Sequence, residues 1–416
     1  MSTSRGQVPA GLNLLLTVLV GGTAWIMLWG PLYTWGIDAM QLYGAADMVN
    51  CGEAGRIYDE AYFQQRQQPL ADGDDCSRHY FLYPPVVALV LSPWARWSYP
   101  VARILWFGIE GLGFAAFAAM VYRGMEFPRT WRITVLMALS ILMPLWMAFR
   151  VGQLTVVWLI ALLGGLLLHQ RQRRLLAGLV FSLLAMKPPL ALPLAIWLAM
   201  RRDGRTLVGM VAGAGAQTLL VMACLGPGMP FYYLHELPNL TQYAKVVDFP
   251  AAYEQSIAGT AKNVLRQAGF LAPQYLSTIM FIQLATAIVA GWALYRVVKS
   301  NRRRAEPAAG VGRNYEYASA VLFMALSAPH LLLYDAGILA VAIAFLWLTP
   351  DWWMGVVLLL SLTTAAAIVY FLLGVSLMPI VAISILFRLS RLCHAPDLEG
   401  VATPVVRSTG PLLPTA

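Results

Sequence analysis

Ten long apolar stretches dominate this 416-residue sequence and alternate with short, arginine-rich segments. They cover residues 12–30, 101–122, 133–149, 154–168, 206–225, 274–298, 317–329, 331–349, 352–370 and 371–387. Several approach the roughly 20 residues that an α-helix needs to cross about 30 Å of hydrocarbon, so we predict an all-α polytopic membrane protein with about ten transmembrane helices. A composition of 59% hydrophobic and 12% charged residues is likewise typical of a membrane protein and not of a soluble globule.

The arginine clusters predict the orientation of the chain. They are Arg123, Arg129 and Arg132; Arg171, Arg173 and Arg174; Arg201, Arg202 and Arg205; Arg302, Arg303 and Arg304; and Arg388 and Arg391. If all of them face the cytoplasm, the positive-inside rule is satisfied throughout and both termini are cytoplasmic. Residues 31–100 and 226–272 then form two outer loops. The net charge of +9 is explained by contact with anionic lipid of the bilayer, so no nucleic-acid partner is expected.

We expect one integral membrane domain over residues 1–391 and a disordered cytoplasmic tail, with scattered Pro and Gly, over residues 392–416. Residues 175–200 contain Lys187-Pro188-Pro189 and have basic residues at both ends. Because a proline pair interrupts a continuous helix, this segment is predicted to be a broken, re-entrant hairpin. Two short tilted spans are the alternative. The apolar segment 86–97 is too short to span and is predicted to form an interfacial helix.

Cysteine usage fits the same topology. Cys51 and Cys76 both lie in the first outer loop, where a disulfide is permitted, so we predict a bridge between them. The chain shows no Cys/His spacing typical of a zinc site. The acids of the first outer loop, Asp72, Asp74 and Asp75, lie in a polar stretch that ends at Cys76 and are interpreted as solvated surface, not as a site for a metal-bound diphosphate donor, so no metal or other cofactor is expected.

Polar residues at the predicted outer ends of the spans form the candidate site. Asp38 follows the first apolar stretch, where an unpaired carboxylate costs free energy unless it is solvated or used. The other candidates are Tyr83, Arg150, Gln153, Lys187 and His330, with Tyr334 and Asp335 four and five residues after the histidine. Each has a structural alternative: a helix-capping Asp38, Arg150 or Lys187 reaching the interface, Gln153 satisfying backbone groups near Gly152, and His330 filling a kink.

Together these residue types suit glycosyl transfer from a lipid monophosphate. A carboxylate such as Asp38 can remove the proton of an acceptor hydroxyl as its oxygen attacks an anomeric carbon. Arg150, Lys187 and His330 can neutralise the charge of a phosphate leaving group and so replace a metal. Aromatic side chains such as Tyr43 and Tyr83 suit sugar faces and lipid headgroups.

Several short motifs occur in an order and spacing that resemble a known family. They are Asp38 followed by Tyr43-Gly44-Ala45-Ala46, Gly55-Arg56-Ile57-Tyr58, Tyr83-Pro84-Pro85-Val86-Val87-Ala88-Leu89 with Pro93, Gly152-Gln153, Leu176-Ala177-Gly178-Leu179, Lys187-Pro188 and Ser327-Ala328-Pro329-His330. This pattern is similar to the bacterial membrane glycosyltransferases of family 87, which include polyprenyl-phosphate-mannose-dependent α-1,2-mannosyltransferases.

The resemblance implies a GT-C fold, a polyprenyl-phosphate sugar donor with mannose favoured, and inverting transfer to a glycolipid or glycan on the outer face of the bacterial cytoplasmic membrane. It implies that Asp38 is the general base and that Lys187 and His330 bind the donor phosphate. Arg150 is added to the donor-phosphate residues because its guanidinium can neutralise the charge of the phosphate. Tyr43, Tyr83, Gln153 and Tyr334 are the expected substrate-binding residues. This chain has Glu254-Gln255-Ser256 where the family pattern leads us to expect Asn-Gln-Ser, in a region that could contact an acceptor.

Two other functions compete with the transferase. A transporter or flippase for a polyprenyl-linked sugar would also have many spans, a broken helix and charge within the membrane. However, the sequence shows no inverted repeat, and its candidate polar groups gather at one face and not near the midplane. A non-catalytic scaffold that kept the fold is the third possibility, and an intact Asp38 argues against it.

Overall fold

The computed structural model describes residues 10–29, 36–70, 80–246, 254–269, 275–303 and 310–393, and it is all-helical over these residues. Their α-helices are α1 (Ala10–Trp29), α2 (Ile37–Asn50), α3 (Glu60–Gln67), α4 (Pro85–Leu91), α5 (Tyr99–Gly124), α6 (Arg129–Ser140), α7 (Met143–Val151), α8 (Thr155–Gln170), α9 (Arg174–Phe181), α10 (Pro188–Arg201), α11 (Gly204–Leu225), α12 (Met229–Val246), α13 (Ile257–Gln267), α14 (Leu276–Arg303), α15 (Val311–Ser327), α16 (Leu339–Trp347), α17 (Trp353–Leu360), α18 (Thr364–Leu373) and α19 (Leu377–Leu392). The described residues also contain one isolated antiparallel β-bridge, between Glu254 and Leu332.

Three helices are long and apolar enough to cross a membrane by themselves: Tyr99–Gly124, Gly204–Leu225 and Ser277–Arg303. Two bent pairs raise the number to five if each pair is one span: α6 with α7, bent by 60°, and α17 with α18, bent by 53°. The other apolar helices of the described chain have 10–17 residues. The protein is therefore a helical membrane protein, while the figure of about ten spans stays a prediction.

Polar side chains gather at two opposite ends of the helix bundle. At one end Arg201 pairs with Glu316 at 2.5 Å, and His169 Nε2 lies 2.8 Å from Asp203 Oδ2. At the other end Lys187 pairs with Asp335. Helix α10 links these groups, because its 14 residues begin directly after Lys187 and end at Arg201, a rise of about 21 Å. We call the first the arginine-rich end and the second the site end.

The segment with the proline pair is a hairpin that returns to its starting end. Helix α9 begins at Arg174, whose guanidinium lies 3.9 Å from Asp203, and a 3-10 turn (Ser182–Met186) leads to Lys187. Pro188 and Pro189 occupy the first positions of α10, where a missing N–H costs nothing. The prolines thus start the second helix of the hairpin, and Lys187 lies at its turn.

The short segment 86–97 is buried on one side and exposed on the other. Pro85, Val86, Val87 and Ala88 of α4 are buried, and the following 3-10 turn (Trp94–Arg96) buries Trp94 and Ala95. Val90 and Trp97 are 52 and 58% exposed. Helix α4 packs against α2 and α11, so the segment is attached to the bundle, and its position at a membrane interface stays a prediction.

Three further sequence predictions fall partly outside the described residues. Cys51 is an exposed free thiol whose sulfur accepts a hydrogen bond from Arg66 at 3.3 Å. Cys76 lies outside the described residues, so the Cys51–Cys76 bridge stays a prediction. The same holds for the tail, of which residues 394–416 are not described, and for the single-domain assignment of residues 1–391.

Candidate active site

Asp38 is positioned by a tight turn that starts helix α2. Gly36 adopts φ +74°, a left-handed conformation that glycine tolerates, and its N–H donates to the carbonyl of Arg150 at 2.8 Å. Asp38 lies in the first turn of α2, where the helix dipole favours a carboxylate. The turn therefore joins the first outer segment to the end of α7 and leaves the Asp38 side chain partly exposed at the site end.

Gln153 reaches Asp38 from the turn between α7 and α8. Gly152 ends α7 with φ +76°, and its N–H and that of Gln153 both donate to the carbonyl of Ala148, at 3.0 and 2.9 Å. The Gly152 carbonyl accepts from Trp106 Nε1 at 3.1 Å. From this fixed turn Gln153 Nε2 donates to Asp38 Oδ2 at 2.5 Å.

Tyr83 completes a chain of hydrogen bonds to the carboxylate. Its hydroxyl donates to Gln153 Oε1 at 2.5 Å, so the amide of Gln153 is engaged at both ends. The Tyr83 carbonyl accepts from the Tyr58 hydroxyl at 2.7 Å. Burial raises the pKa of Tyr83 well above its usual value, so the phenol stays protonated and remains a donor.

The pKa of Asp38 is raised from its ordinary value to about 6, and burial is the largest cause of this rise. The hydrogen bond from Gln153 and the positive charge of Lys187 both oppose this rise, whereas the charge of Asp335 adds to it. Asp38, Lys187 and Asp335 therefore share one electrostatic environment. A carboxylate with a pKa near 6 is ionised at neutral pH and is close to the value that suits a general base.

Lys187 is enclosed by an acid and two aromatic rings. Its ammonium forms an ion pair with Asp335, and the side chains of the pair are 15% and 3% exposed. The same nitrogen lies 5.9 Å from the ring centre of Tyr83 and 5.5 Å from that of Tyr334. These distances are typical of cation–π contacts. Lys187 is therefore not an interface residue that reaches into solvent.

Asp335 stands beside Tyr334 in the sequence, but the sequence alone assigned it no role at the site. It begins the 3-10 turn Asp335–Ile338 directly after Tyr334 and is 2% exposed. Buried acids are rarely left unpaired, so an acid beside an interrupted apolar stretch was a usable signal for a partner of Lys187. The sequence could not indicate which base would pair with it.

Tyr334 lies next to the start of α2. Its carbonyl accepts from the Thr155 hydroxyl at 3.3 Å, and its ring packs on a small cluster that includes Ile37, Met147 and Val151. Since Ile37 precedes Asp38 and Tyr334 precedes Asp335, this cluster brings the two acids to the same end of the bundle. Tyr334 and Tyr83 form aromatic walls around Lys187.

Arg150 and His330 occupy the borders of this site. Arg150 is in the last turn of α7, two residues before Gly152, and only 7% of the residue is exposed. It is thus buried and does not reach out to the interface. His330 is partly exposed in the bend after α15, four residues before Tyr334. Their roles on a donor phosphate stay predictions.

Tyr43 belongs to a structural cluster and not to the arrangement around Asp38. Its hydroxyl donates to the carbonyl of Trp97 at 2.8 Å, and its ring packs against Trp94 and Tyr99. Five residues along an α-helix place two side chains about 140° apart, so Tyr43 and Asp38 face different sides of α2. This geometry favours a packing role for Tyr43.

The segment Glu254-Gln255-Ser256 attaches the start of α13 to the bend after α15. Gln255 N–H donates to Leu331 O at 2.7 Å, and Ser256 caps α13 through a bond to Gly259 N–H at 2.9 Å. Gln255 Oε1 also accepts from Ser376 Oγ at 2.6 Å. These residues position the bend that carries His330 and Tyr334. The side chains of Gln255 and Ser256 are both engaged in hydrogen bonds within the protein.

Another buried acid, Glu110, lies one helical turn after Trp106 on α5. It is 1% exposed, and neither carboxyl oxygen has a hydrogen-bond partner among the described residues. It therefore shares no hydrogen bond with Asp38, Gln153 or Tyr83. Its position inside an otherwise apolar helix was the only sequence signal for it.

Comparison with known protein families matches residues 81–326 to glycosyltransferase family 87. The match includes Tyr83, Arg150, Gln153 and Lys187 and ends before His330, whereas Asp38 precedes it. No curated protein and no solved structure matches the chain. Because the family match covers more than half of the sequence, as the motif pattern predicted, this chain belongs to glycosyltransferase family 87.

Proposed function

We propose that this glycosyltransferase moves a sugar, mannose being the favoured one, from a polyprenyl-phosphate donor to a hydroxyl of a lipid or glycan acceptor. The observation that carries the proposal is the chain Asp38–Gln153–Tyr83, in which both hydrogen bonds measure 2.5 Å, beside the Lys187–Asp335 pair. A partly exposed carboxylate beside a buried cation can deprotonate an acceptor close to a bound phosphate.

Asp38 is the proposed general base. Gln153 donates to one carboxylate oxygen, and Gln41 also forms a side-chain hydrogen bond with Asp38. Because a carboxylate has about four acceptor positions, lone pairs stay available to receive a proton from the acceptor hydroxyl. Because the amide of Gln153 is itself held by Tyr83, the carboxylate is oriented before any substrate arrives. This orientation removes part of the entropy cost of the reaction, as expected of a preorganised site.

The proposed step balances as a single displacement. The acceptor O–H bond breaks and its proton goes to Asp38, while the acceptor oxygen forms a bond to the anomeric carbon. The bond from that carbon to the phosphate oxygen breaks, and its electron pair stays on the phosphate. Attack from the face opposite the leaving group inverts the anomeric carbon, as the family resemblance implies.

The leaving phosphate gains one negative charge in this step, and Arg150, Lys187 and His330 are proposed to neutralise it. Lys187 is paired with Asp335 in the free protein. A donor phosphate therefore has to share the lysine with Asp335 or replace that acid as its partner. Cationic side chains in this role make the reaction independent of a metal ion, which treatment with a chelator tests.

The substrate-facing aromatic residues in this proposal are Tyr83 and Tyr334, whose rings already flank Lys187. In this proposal Gln153 positions the carboxylate of Asp38 and does not itself contact the substrate. A contact of Tyr43 with substrate has no support from its packing. The site end is proposed to face the outer side of a bacterial cytoplasmic membrane, because the arginine-rich end satisfies the positive-inside rule if it faces the cytoplasm.

A transfer assay in lipid nanodiscs tests the proposal. The purified protein is mixed with a panel of labelled polyprenyl-phosphate sugars, membrane lipid extract as acceptor, and either a chelator or buffer. The expected result is a labelled product with one donor, formed equally in both conditions. Movement of a labelled donor across vesicle membranes without a covalent product would instead support the transporter alternative.

A further inference from the structure

An open groove lies on the outside of the bundle at the arginine-rich end, far from Asp38. It has a volume of about 510 Å³ and is formed where α5 passes α8 and the end of α9. Its apolar lining includes Met120, Ile160, Leu168 and Val180. Pockets of roughly 300–1,000 Å³ are large enough for a small ligand.

The groove opens toward the hydrocarbon of the membrane. Helix α5 is a candidate membrane span, and only 22% of an apolar 18-residue stretch in it is buried by the rest of the protein. Its uncovered positions are apolar, as Ile104, Ile109 and Leu112 show with exposures of 72, 54 and 74%. A ligand in the groove would therefore reach it through lipid and would present hydrocarbon to these walls.

Two arginines stand at the end of the groove. Arg123 is in the last turn of α5, and Arg171 directly follows α8. Both are exposed, and neither forms an ion pair or side-chain hydrogen bond with the residues that the structure describes. Some arginines at this end are engaged by the protein: Arg132 donates to the carbonyl of Phe127 at 3.1 Å, and Arg201 pairs with Glu316.

The end of α5 packs closely on α8 beside the two arginines. A Cβ at Gly124 would come within 2.6 Å of Leu167 Cδ1, so the leucine side chain would have to move for a larger residue. Gly124 adjoins Arg123, and Leu167 lies four residues before Arg171. The two guanidinium groups therefore belong to one mouth of the apolar groove, where a single anionic group could contact both.

We propose that this groove binds one anionic phospholipid, with its phosphate between Arg123 and Arg171 and an acyl chain along Met120, Ile160, Leu168 and Val180. The charge of the two arginines selects an anionic headgroup, and the apolar, lipid-facing walls select a molecule with a hydrocarbon chain. The lipid fills the gap between α5, α8 and α9. Its headgroup at Arg171 is separated from the site end by the 16 residues of α8, or about 24 Å.

Native mass spectrometry of the detergent-purified protein tests this site. Phosphatidylglycerol, phosphatidylcholine and inorganic phosphate are titrated separately, and the bound fraction of each is counted. We expect one phosphatidylglycerol to be retained in preference to phosphatidylcholine. Arg123→Gln/Arg171→Gln should weaken its binding by about 10- to 30-fold, because each surface cation adds about 1 kcal/mol.

Two matched variants make the result decisive. Arg129→Gln/Arg173→Gln removes the same charge at the same end outside the groove and should leave phosphatidylglycerol binding unchanged. Ala119→Phe fills the groove at an exposed wall position without changing charge and should weaken it. An equal loss in the Arg129/Arg173 variant, equal retention of phosphatidylcholine, or displacement of the lipid by inorganic phosphate alone would each overturn the proposal.

Discussion

Lys187 and Asp335 form a buried ion pair although 148 residues separate them in the sequence. Lys187 lies at the turn of the α9–α10 hairpin, and Asp335 begins the turn before α16. The rings of Tyr83 and Tyr334 lie within 6 Å of the lysine nitrogen and limit its contact with water. Removing one partner of such a pair leaves an uncompensated buried charge, which is costlier than removing both.

Lys187→Met should lower both stability and activity. The unpaired Asp335 is expected to reduce the free energy of unfolding by about 3–5 kcal/mol. Loss of a cation from the donor phosphate should reduce kcat/KM by about 10²- to 10³-fold. Thermal unfolding in detergent and the transfer assay measure the two effects.

The double variant Lys187→Met/Asp335→Leu separates the two roles of the lysine. Because the double variant carries no buried charge here, most of the stability should return, whereas activity should stay lost. Recovery of activity together with stability would show that Lys187 serves the fold alone and does not bind the donor phosphate.

Transfer should depend on the ionised form of Asp38. Since its pKa is raised to about 6, the carboxylate is deprotonated above pH 6 and becomes protonated below it. We expect kcat/KM to fall tenfold per pH unit below about pH 6, with a plateau toward neutral pH. A profile that stays flat down to pH 4.5 would contradict a titrating base with this pKa.

Gln153→Leu should shift that profile as well as slow the reaction. The hydrogen bond from Gln153 favours the charged form of Asp38, so its loss should raise the pKa of Asp38 and move the acid limb to higher pH. A drop in kcat of about tenfold or more is expected from the misoriented base. Tyr83→Phe is the matched control, because it removes only the hydroxyl that holds Gln153 and should cause a smaller shift.

Gly152→Ala should disrupt the site without touching a proposed catalytic group. Its φ of +76° is unfavourable for alanine, and the added Cβ would lie 2.7 Å from Ala39 Cβ, next to Asp38. We expect a loss of about 1–3 kcal/mol in stability and a marked loss of transfer. Gly108→Ala on α5 has nothing within 4 Å of its Cβ and should be neutral or stabilising.

The sequence predicted the helical membrane class, the family and most residues at the site end. Apolar stretches and arginine clusters sufficed for the class, because they depend on composition and local order. The pairing of Lys187 with Asp335 could not be predicted, since it depends on how the α9–α10 hairpin packs on the turn before α16. The packing of segment 86–97 on α2 and α11 could not be predicted for a similar reason, because an apolar surface is equally suited to a membrane interface and to neighbouring helices.

The individual site residues show the same limit of prediction from sequence. Asp38 was found because an acid is conspicuous at a membrane boundary, and Gln153 because it follows a glycine turn. Tyr43 was grouped with them by motif, but its position five residues along α2 points it toward Trp97. Helical geometry alone would have separated Tyr43 from Asp38, whereas the buried position of Arg150 required the tertiary structure.

The central claim, that Asp38 is the general base, is tested most directly by comparing Asp38→Asn with Glu110→Gln. Both substitutions convert a carboxyl group to an amide, but Glu110 shares no hydrogen bond with the described site residues. Initial rates of sugar transfer in nanodiscs are measured for each variant and for the unmodified protein, with thermal unfolding as the folding control. We predict that Asp38→Asn unfolds normally and loses about 10²- to 10⁴-fold in rate, while Glu110→Gln retains activity. Transfer by a folded Asp38→Asn variant at the unmodified rate would contradict the account.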